Sequence, residues 1–240
     1  MKKGNLLYEG KAKRLYETDD PSALLLEYKD SLTAFNALKK AELAGKGELN
    51  NSISAHIFSL LAAGGVPNHF VKKVDSMHQV VRNVKIIPLE VVVRNITTGS
   101  LCKRLGVDEG IRLSPPLVEF YLKDDDLGDP IVTEDHINVF SWAGENEISL
   151  MKQTALKTNN ILKDIFSPLG IVLVDFKLEF GRTDSGEVIL ADEVSPDTCR
   201  FWDSTSGERL DKDRFRKDLG DVLGAYREIW RRLSEGGKTA

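Results

Sequence analysis

The chain has 240 residues, of which 41% are hydrophobic and 29% charged, a composition typical of a globular protein with a buried core. Its formal net charge is −4, so it lacks the overall positive charge that drives nonspecific binding to nucleic acid. The N-terminus has no apolar leader, and no run approaches the roughly 18 apolar residues of a membrane span. Cys102 and Cys199 lie far apart, which suits free thiols in a reducing cytoplasm. We therefore expect a cytoplasmic protein that binds neither nucleic acid nor membrane.

The first third of the chain is predicted to consist mainly of short strands and turns. Segments with apolar and β-branched residues between turn signals are predicted strands: residues 6–9, 14–18, 23–28, 69–74 and 84–95. Pro88 in the last of these indicates an edge strand or a bulge. Residues 51–65 carry an apolar stripe at helical spacing and end in two glycines, which predicts a helix.

The rest of the chain is predicted to contain a long loop region, a hairpin and two helices. Residues 96–140 are rich in Gly, Pro and Asp and are predicted as loops, which are usually functional at that length. Strands at 173–181 and 187–194 are joined by the turn RTDSG. Helical periodicity is found in two segments: about 146–166 and about 211–233. This order predicts an α+β fold rather than a doubly wound sheet, and the tail 234–240 is expected to be disordered.

The stretch 173–181, LVDFKLEFG, alternates apolar and charged residues. Asp175, Lys177 and Glu179 therefore share one face of the strand, spread over roughly 13 Å. The hairpin turn places residue 179 opposite residue 191 or 192, which brings Asp192 close to Glu179. Two carboxylates so close need a cation between them, and paired oxygen ligands suit Mg²⁺. A solvated face whose charges compensate one another is the alternative for this stretch.

The segment GKAK, residues 10–13, joins the first two strands in a tight turn. Gly10 allows the backbone to approach a phosphate, while Lys11 and Lys13 supply positive charge. The spacing is not that of a Walker A loop, although glycine-rich hairpins cover ATP phosphates in kinases as well. A solvated basic turn is the alternative reading of the segment.

Further anion-binding candidates are Arg94, which ends a strand, Ser100, which follows a glycine, and Arg200, which follows Asp197 in SPDTCR. An arginine at a strand end beside Gly/Ser turns suits a phosphate, and a surface ion pair is the alternative. Lys123 and Asp129 lie in an acidic loop segment and are ambiguous. The histidines form no metal-spaced pair and are predicted to be structural or surface residues: His56, His69, His78 and His136. No Ser–His–Asp or Cys–His constellation is visible.

Several long motifs then coincide in a resemblance to one family. IPLEVVVRNITTGS and LVDFKLEFG resemble signature stretches of the SAICAR (phosphoribosylaminoimidazole-succinocarboxamide) synthase family of purine biosynthesis. YEGKAKRLY, GSLCKRLG, KDDDLGDPIVTEDH, ADEVSPDTCRFWD and LDKDRFRKDLG resemble further segments of that family in the same order. The resemblance extends from about residue 6 to about residue 233. It implies an ATP-dependent ligase that joins L-aspartate to the carboxylate of CAIR, a carboxyaminoimidazole ribotide, through an acyl phosphate, with Mg²⁺ as cofactor.

The resemblance also implies a fold and a set of site residues. The fold is similar to the nucleotide clamp of ATP-grasp enzymes and protein kinases, with an ATP-covering subdomain at residues 1–84 and a metal- and substrate-binding subdomain at 85–240. The positions that match ATP-contacting residues are Gly10, Lys11, Ala12, Lys13, Leu24, Val81, Ile86 and Lys123. Ile86 departs from the methionine that some relatives carry. The positions that match the Mg²⁺ ligands, which also contact the nucleotide, are Glu179 and Asp192.

Substrate-binding positions follow from the same resemblance: Arg94, Ser100, Asp129, Asp175, Lys177, Asp197 and Arg200. Arg94, Ser100 and Arg200 match groups that hold the ribotide. The candidates for catalysis are Lys13, Asp129, Asp175 and Lys177, the last three where aspartate and the reacting carboxylate meet.

The family also suggests a homodimer, for which exposed valines of the VVVRN strand are the candidate surface. Rival functions are a kinase, although an HRD-type catalytic loop is missing, and a regulatory nucleotide-binding module with a degraded site.

Overall fold

The computed structural model describes residues 2–34 and 38–236. Of the tail predicted to be disordered, 234–236 belong to the last helix, so that part of the prediction is wrong, and 237–240 lie outside the described residues. In the first part of the chain the elements are β1 (Leu6–Glu9), β2 (Lys13–Tyr16), β3 (Ala23–Tyr28), β4 (Ser31–Ala34), β5 (Lys39–Glu42), α1 (Lys46–Ala63), β6 (Phe70–Lys73) and β7 (His78–Arg82). Strands β1, β2, β3, β7 and β6 form an antiparallel sheet in that order. The predicted strands of this region are confirmed. The predicted helix is also confirmed, although it begins at Lys46 rather than at residue 51.

The second part of the chain forms a larger antiparallel sheet with helices beside it. Its elements are β8 (Lys85–Ile96), α2 (Ser100–Leu105), β9 (Arg112–Leu122), β10 (Ile131–Val132), α3 (Glu134–Val139), α4 (Glu145–Phe166), β11 (Ile171–Arg182), β12 (Val188–Ala191), β13 (Cys199–Asp203), α5 (Asp213–Arg216) and α6 (Val222–Gly236). The strand order is β10-β9-β8-β11-β12, and β13 also pairs with β11. The two antiparallel sheets and flanking helices confirm the predicted α+β class.

Strand β8 lies inside this sheet, between β9 and β11. Its register with β11 is irregular between Ile86 and Glu90, which confirms the bulge predicted from Pro88. Val91 and Val93 are fully buried in the core. The expectation that valines of this strand offer an exposed dimer surface is therefore wrong, because Val91 and Val93 lie in the core and the half-buried Val92 lines the cleft.

The prediction of loops throughout residues 96–140 is wrong, because this region contains α2, the 11-residue strand β9 and α3. The tandem Pro115 and Pro116 conceal β9 in the sequence, since proline normally argues against an interior strand. In the structure the two prolines lie within a register shift, between the pairs Arg94–Leu117 and Ile96–Arg112. Their missing N–H groups therefore do not interrupt the regular part of the ladder.

The predicted helix at about 146–166 is confirmed as α4, whereas the single helix predicted at 211–233 is wrong. The chain forms α5, then a turn, then α6. Asp218, Gly220 and Asp221 all have positive φ in this turn, a backbone conformation that ends a right-handed helix. Leu219, which a continuous helix at 211–233 would contain, lies in this turn and is 49% exposed.

The main hydrophobic core lies between the second sheet and helices α1, α4 and α6. Side chains of α1 such as Ile57 and Phe58 belong to the same cluster as Phe176 and Phe180 of β11 and Ile229 of α6. The first sheet ends at Arg82 and the second begins at Lys85, which agrees with a division at residue 84, although α1 links the two parts. That division stays a prediction. Within the described residues, none of the helices is both long and apolar enough to cross a membrane.

Candidate functional site

A cleft of about 880 Å³ lies between the two sheets. Its walls contain every site residue that the sequence predicts: Gly10, Lys11, Ala12, Lys13, Leu24, Val81, Ile86, Arg94, Ser100, Lys123, Asp129, Asp175, Lys177, Glu179, Asp192, Asp197 and Arg200. These residues come from positions spread over most of the sequence, so the fold brings together groups that only motif matching had connected.

The charged face of β11 points into this cleft and its apolar face into the core, as the alternation predicts. Asp175 and Glu179 are 3% and 4% exposed, while Val174 and Leu178 are completely buried. Glu179 is paired with Ala191 of β12, which confirms the predicted register. The next residue, Asp192, has a left-handed backbone with φ 62°, a conformation that is uncommon for a residue other than glycine and is found at functional sites.

Lysine ammonium groups lie among these carboxylates. Lys177 Nζ is 2.5 Å from Glu179 Oε1, 2.9 Å from Glu90 Oε1 and 3.7 Å from Asp192 Oδ2. Burial by itself lowers the pKa of Lys177, but the three carboxylates outweigh burial and raise it well above its ordinary value. Lys177 is therefore a permanent cation placed between the acids.

Lys13 makes a second link between the turn and the acids. Its ammonium donates to Asp192 and lies 2.9 Å from Glu193 Oε1. Burial lowers the pKa of Lys13, and the carboxylates of Asp192 and Glu193 reverse this and raise it. Both effects act in the opposite direction on Asp192. Burial raises the pKa of this carboxyl, but the ammonium groups of Lys13, Lys177 and Lys123 lower it well below its ordinary range. Asp192 is thus ionised at neutral pH.

The turn at residues 10–13 lies at the entrance of the cleft. The N–H of Gly10 donates to the carbonyl of Lys13 at 2.9 Å and closes the turn. Lys11 reaches across to Asp125 Oδ1 at 2.6 Å, and Lys123 Nζ is 3.0 Å from Glu179 Oε1. Basic groups from both sheets therefore face each other across the space where the phosphates of a nucleotide would lie. The neighbouring wall is apolar and contains Leu15, Leu24, Leu26, Val81, Val84 and Ile86.

The arginines form a third group around Asp175. Arg94 donates through Nη1 to Asp175 Oδ2 at 2.8 Å, and Arg200 Nη1 donates to the same oxygen at 2.8 Å. Arg94 Nη2 also donates a hydrogen bond to Ser100 Oγ at 3.2 Å. Asp175 therefore holds both guanidinium groups next to Ser100, in the arrangement of a pocket for a multiply charged anion.

Two predicted residues have less room for a ligand. Asp197 lines the cleft, but its oxygens accept hydrogen bonds from Lys46 at 2.7 Å, Asn50 at 3.0 Å and Tyr226 at 2.7 Å. Asp129 Oδ1 accepts from the backbone N–H of Asp124 at 3.0 Å. Their roles toward substrate stay predictions.

Several residues of the cleft were missed by the sequence analysis. Glu193 directly follows Asp192 and shares Lys13 with it, and the ADE motif was the available signal. Lys212 and Arg216 also line the cleft; both lie in LDKDRFRKDLG, a segment that the resemblance matched without giving these two residues a role. His69, predicted to be structural or on the surface, is buried in the wall of the cleft, and burial lowers its pKa to about 4.

The predicted metal site rests on two acids. Within residues 2–34 and 38–236, no group of three or more His, Cys, Asp or Glu side chains has the arrangement of a metal site. Glu179 and Asp192 nevertheless fit Mg²⁺, because both carboxylates approach one point, Lys177 Nζ, at 2.5 and 3.7 Å, and Mg²⁺ takes most of its ligands from water and phosphates.

Two sheets that enclose a cleft, with a glycine–lysine turn on one side and paired acids on the other, define an enzyme that acts on a nucleotide's phosphates. The sequence model described as SAICAR synthetase matches residues 6–233. A phosphoribosylaminoimidazole-succinocarboxamide synthase of Exiguobacterium sibiricum is 55% identical over 232 residues, which are 97% of this chain and 99% of that protein. The chain belongs to the SAICAR synthetase family.

Solved structures agree with this result. The crystal structure of phosphoribosylaminoimidazole-succinocarboxamide synthase from Ehrlichia chaffeensis superposes with a TM-score of 0.94 at 44% identity, over 96% of this chain and 98% of that one. A SAICAR synthetase in complex with ADP gives 0.93 at 47% identity, with the same coverage. The resemblance seen in the sequence is confirmed, and the protein is an ATP-dependent ligase of purine biosynthesis.

Proposed function

We propose that the protein joins L-aspartate to the carboxylate of CAIR and consumes ATP, giving SAICAR, ADP and phosphate. The observation that carries this proposal is the meeting of Glu179 and Asp192 with Lys13 and Lys177 in one cleft. Family membership supports the reaction, and the relative in complex with ADP supports a nucleotide in this cleft.

The chemistry requires activation of a carboxylate, because oxide is too poor a leaving group for direct attack by an amine. The carboxylate oxygen of CAIR attacks the γ-phosphorus of ATP, and the bond to the β,γ-bridging oxygen breaks to release ADP. The neutral amine of aspartate then attacks the carbon of the acyl phosphate. Phosphate leaves with its electron pair, and the amine loses a proton. No step needs a nucleophilic side chain, so the protein contributes positioning and electrostatic stabilisation.

The basic groups of the cleft supply that stabilisation in the proposal. Lys11, Lys13 and Lys123 face the phosphates, while Glu179 and Asp192 are the residues that would hold Mg²⁺. The bound ion supplies charge neutralisation on the phosphoryl oxygens. Glu193, whose second oxygen accepts from Ser195 Oγ at 2.6 Å, is a second carboxylate on Lys13, so that Lys13 would keep a counter-ion if Asp192 held Mg²⁺.

The reacting groups are placed by the other half of the cleft. Arg94, Ser100 and Arg200 bind the ribotide in this proposal, because two fixed guanidinium groups and a hydroxyl suit its phosphate. Lys177, Asp129 and Asp175 line the cleft, and in this proposal aspartate meets the activated carboxylate beside them. Leu24, Val81 and Ile86 form the apolar wall against which we place the adenine.

A coupled assay of ADP release tests the reaction. ADP should appear with ATP, CAIR and aspartate together and fall to background when CAIR is omitted. Omission of aspartate should stop steady turnover. Steady ADP release without CAIR and aspartate would instead indicate a kinase or ATPase, and tight ATP binding without turnover would indicate a binding module.

We also propose a cytoplasmic homodimer. Cys102 and Cys199 are free thiols, which is consistent with a reducing compartment. The homodimer rests on family resemblance, and its surface has to lie elsewhere than on the buried valines of β8. Light scattering on the purified chain measures the assembly, and a mass of one chain at micromolar concentration would contradict the dimer.

A further inference from the structure

Lys212 lies in the wall of the cleft immediately before α5. Its backbone N–H donates to the carbonyl of Pro196 at 3.1 Å, which fixes this part of the chain beside the segment that carries Asp197. The side chain is half-buried. The residue therefore has a defined place in the cleft, although the reaction as proposed above gives it no role.

Lys212 differs from the other cationic side chains of the cleft. Each of the others forms an ion pair with a carboxylate: Lys11, Lys13, Arg82, Arg94, Lys123, Lys177, Arg200 and Arg216. Among the residues that the structure describes, Lys212 is the cleft cation with no carboxylate within ion-pair distance. Asp197, the carboxylate that does most to raise the pKa of Lys212, already accepts from Lys46, Asn50 and Tyr226.

The surroundings of Lys212 make this lack of a partner costly. Burial lowers its pKa, Arg216 and Lys46 lower it further, and Asp197 and Glu193 offset this only in part. An ammonium that is half withdrawn from water and has no bonded counter-ion is less stable in a folded protein than a paired one. A negatively charged group that enters from the cleft would remove that cost.

Arg216 provides a second donor beside Lys212. Its Nη1 donates to Asp213 Oδ1 at 2.6 Å, and within the described part of the chain its other N–H groups make no hydrogen bond. Asp213 Oδ2 in turn accepts from Arg200 Nε at 3.0 Å. Arg216 is thus fixed next to the arginine pocket and still has donors free for a ligand.

Resting on the proposed function, we propose that Lys212, together with Arg216, binds an oxyanion of a substrate other than the nucleotide. The two sources of such a group are a carboxylate of aspartate and the phosphate of the ribotide. The charges favour aspartate, because Lys177, the cation proposed near it, already faces Glu90, Glu179 and Asp192. Two carboxylates of an incoming amino acid need a further cation, and within residues 2–34 and 38–236 Lys212 is the cleft cation without a carboxylate partner.

Steady-state kinetics of Lys212→Met test the proposal. Loss of one charge-assisted contact should raise the KM for aspartate, or for the ribotide, by about ten-fold or more while the KM for ATP stays unchanged. Which KM rises identifies the source of the oxyanion. Lys212→Arg should restore part of the affinity. Lys103→Met, on the exposed side of α2, is the matched control and should behave as wild type.

A thermal melt distinguishes binding from a structural role. Removal of an unpaired, desolvated charge should leave the melting temperature of Lys212→Met unchanged or higher, whereas a structural lysine would lower it. Unchanged KM values for aspartate and ribotide, or an equal rise for ATP, would overturn the proposal.

A labelling experiment tests the same binding without any enzyme turnover. Lysine side chains are acylated with and without a bound anion, and the modified positions are mapped by mass spectrometry. Succinate or inorganic phosphate should protect Lys212 but not Lys103. If wild-type ADP release proves independent of CAIR and aspartate, the ligase proposal fails on its own, and this protection still decides whether Lys212 binds oxyanions. Equal labelling with and without both anions would refute that binding.

Discussion

Replacement of Lys46 by methionine should destabilise the folded protein by several kilocalories per mole. The side chain of Lys46 is completely buried, and its Nζ lies 2.7 Å from Asp197 Oδ2 and donates to the carbonyl of Ser31 at 2.9 Å. Methionine keeps most of the apolar stem but removes the charge. Asp197 would then be a buried carboxylate without its ion-pair partner, held by hydrogen bonds from Asn50 and Tyr226.

The size of the effect follows from this burial. An ion pair on the surface contributes about 0–1 kcal/mol, whereas loss of one partner of a buried pair costs about 3–5 kcal/mol because the other charge remains without compensation. Tyr226→Phe removes one hydrogen bond to the same carboxylate and should cost about 1.5–3 kcal/mol. The double variant Lys46→Met with Asp197→Asn should lose less free energy of unfolding than the two single variants lose in sum, by about 0.5–3 kcal/mol.

Urea unfolding at pH 7, followed by circular dichroism, measures these differences. Lys152→Met is the matched control, because its ammonium lies 2.6 Å from Glu134 but both side chains are about half exposed, at 40% and 50%. The control should change the free energy of unfolding by less than about 1 kcal/mol. A loss of that small size for Lys46→Met as well would refute the reasoning, because burial would then make no difference.

The pH dependence provides a second check. Burial raises the pKa of Asp197, but Lys46 outweighs it, so that the folded pKa lies well below the unfolded value of about 3.9. The stabilisation is therefore present above that unfolded pKa and is lost as the pH falls through the folded pKa. The difference in stability between wild type and Lys46→Met should shrink below about pH 4. A constant difference down to pH 2 would contradict this assignment.

Three further predictions concern the cleft and a carboxyl beside it. Glu179→Gln should lower kcat by about 100-fold or more and raise the Mg²⁺ concentration needed for activity, with the fold intact by circular dichroism. The exposed control Glu187→Gln should keep near-normal turnover. Near-normal turnover of Glu179→Gln as well would contradict its assignment as a metal ligand. Arg200→Ala should raise the KM for the ribotide far more than that for ATP, unlike the exposed control Arg227→Ala, and an equal rise in both would contradict its role. Burial raises the pKa of Asp211 to about 7, so stability should decline as the pH rises from about 4 to 7. Asp211→Asn should flatten that decline in urea titrations, and an unchanged slope would count against it.

The local part of the site could be predicted from the sequence because it depends on short-range geometry. In 173–181 the period of two fixes which side chains share a face, and the following turn fixes the register of Glu179 with Ala191. The same local rules failed where local signals conflict. Proline signals concealed β9, and the apolar period continued through Asp218 and Asp221 although the backbone there has positive φ.

The partners of the charged groups could not be predicted from local pattern. Lys13 and Asp192 are 179 positions apart, and Lys46 and Asp197 belong to different parts of the fold. A charged residue on a strand or turn looks the same in a sequence whether it is solvated or buried against an acid. Family resemblance supplied many of the positions, but neither Glu193 nor Lys212.

The sequence by itself determined the strands around the two motifs, the face on which Asp175, Lys177 and Glu179 lie, and membership of the family. Only the tertiary structure decided which charges meet, which carboxylates are taken up by structural partners and which cleft cation, Lys212, has no carboxylate partner among the described residues. The physical reason is that periodicity and turn chemistry act over a few residues, whereas burial and ion pairing depend on two sheets closing over a common cleft.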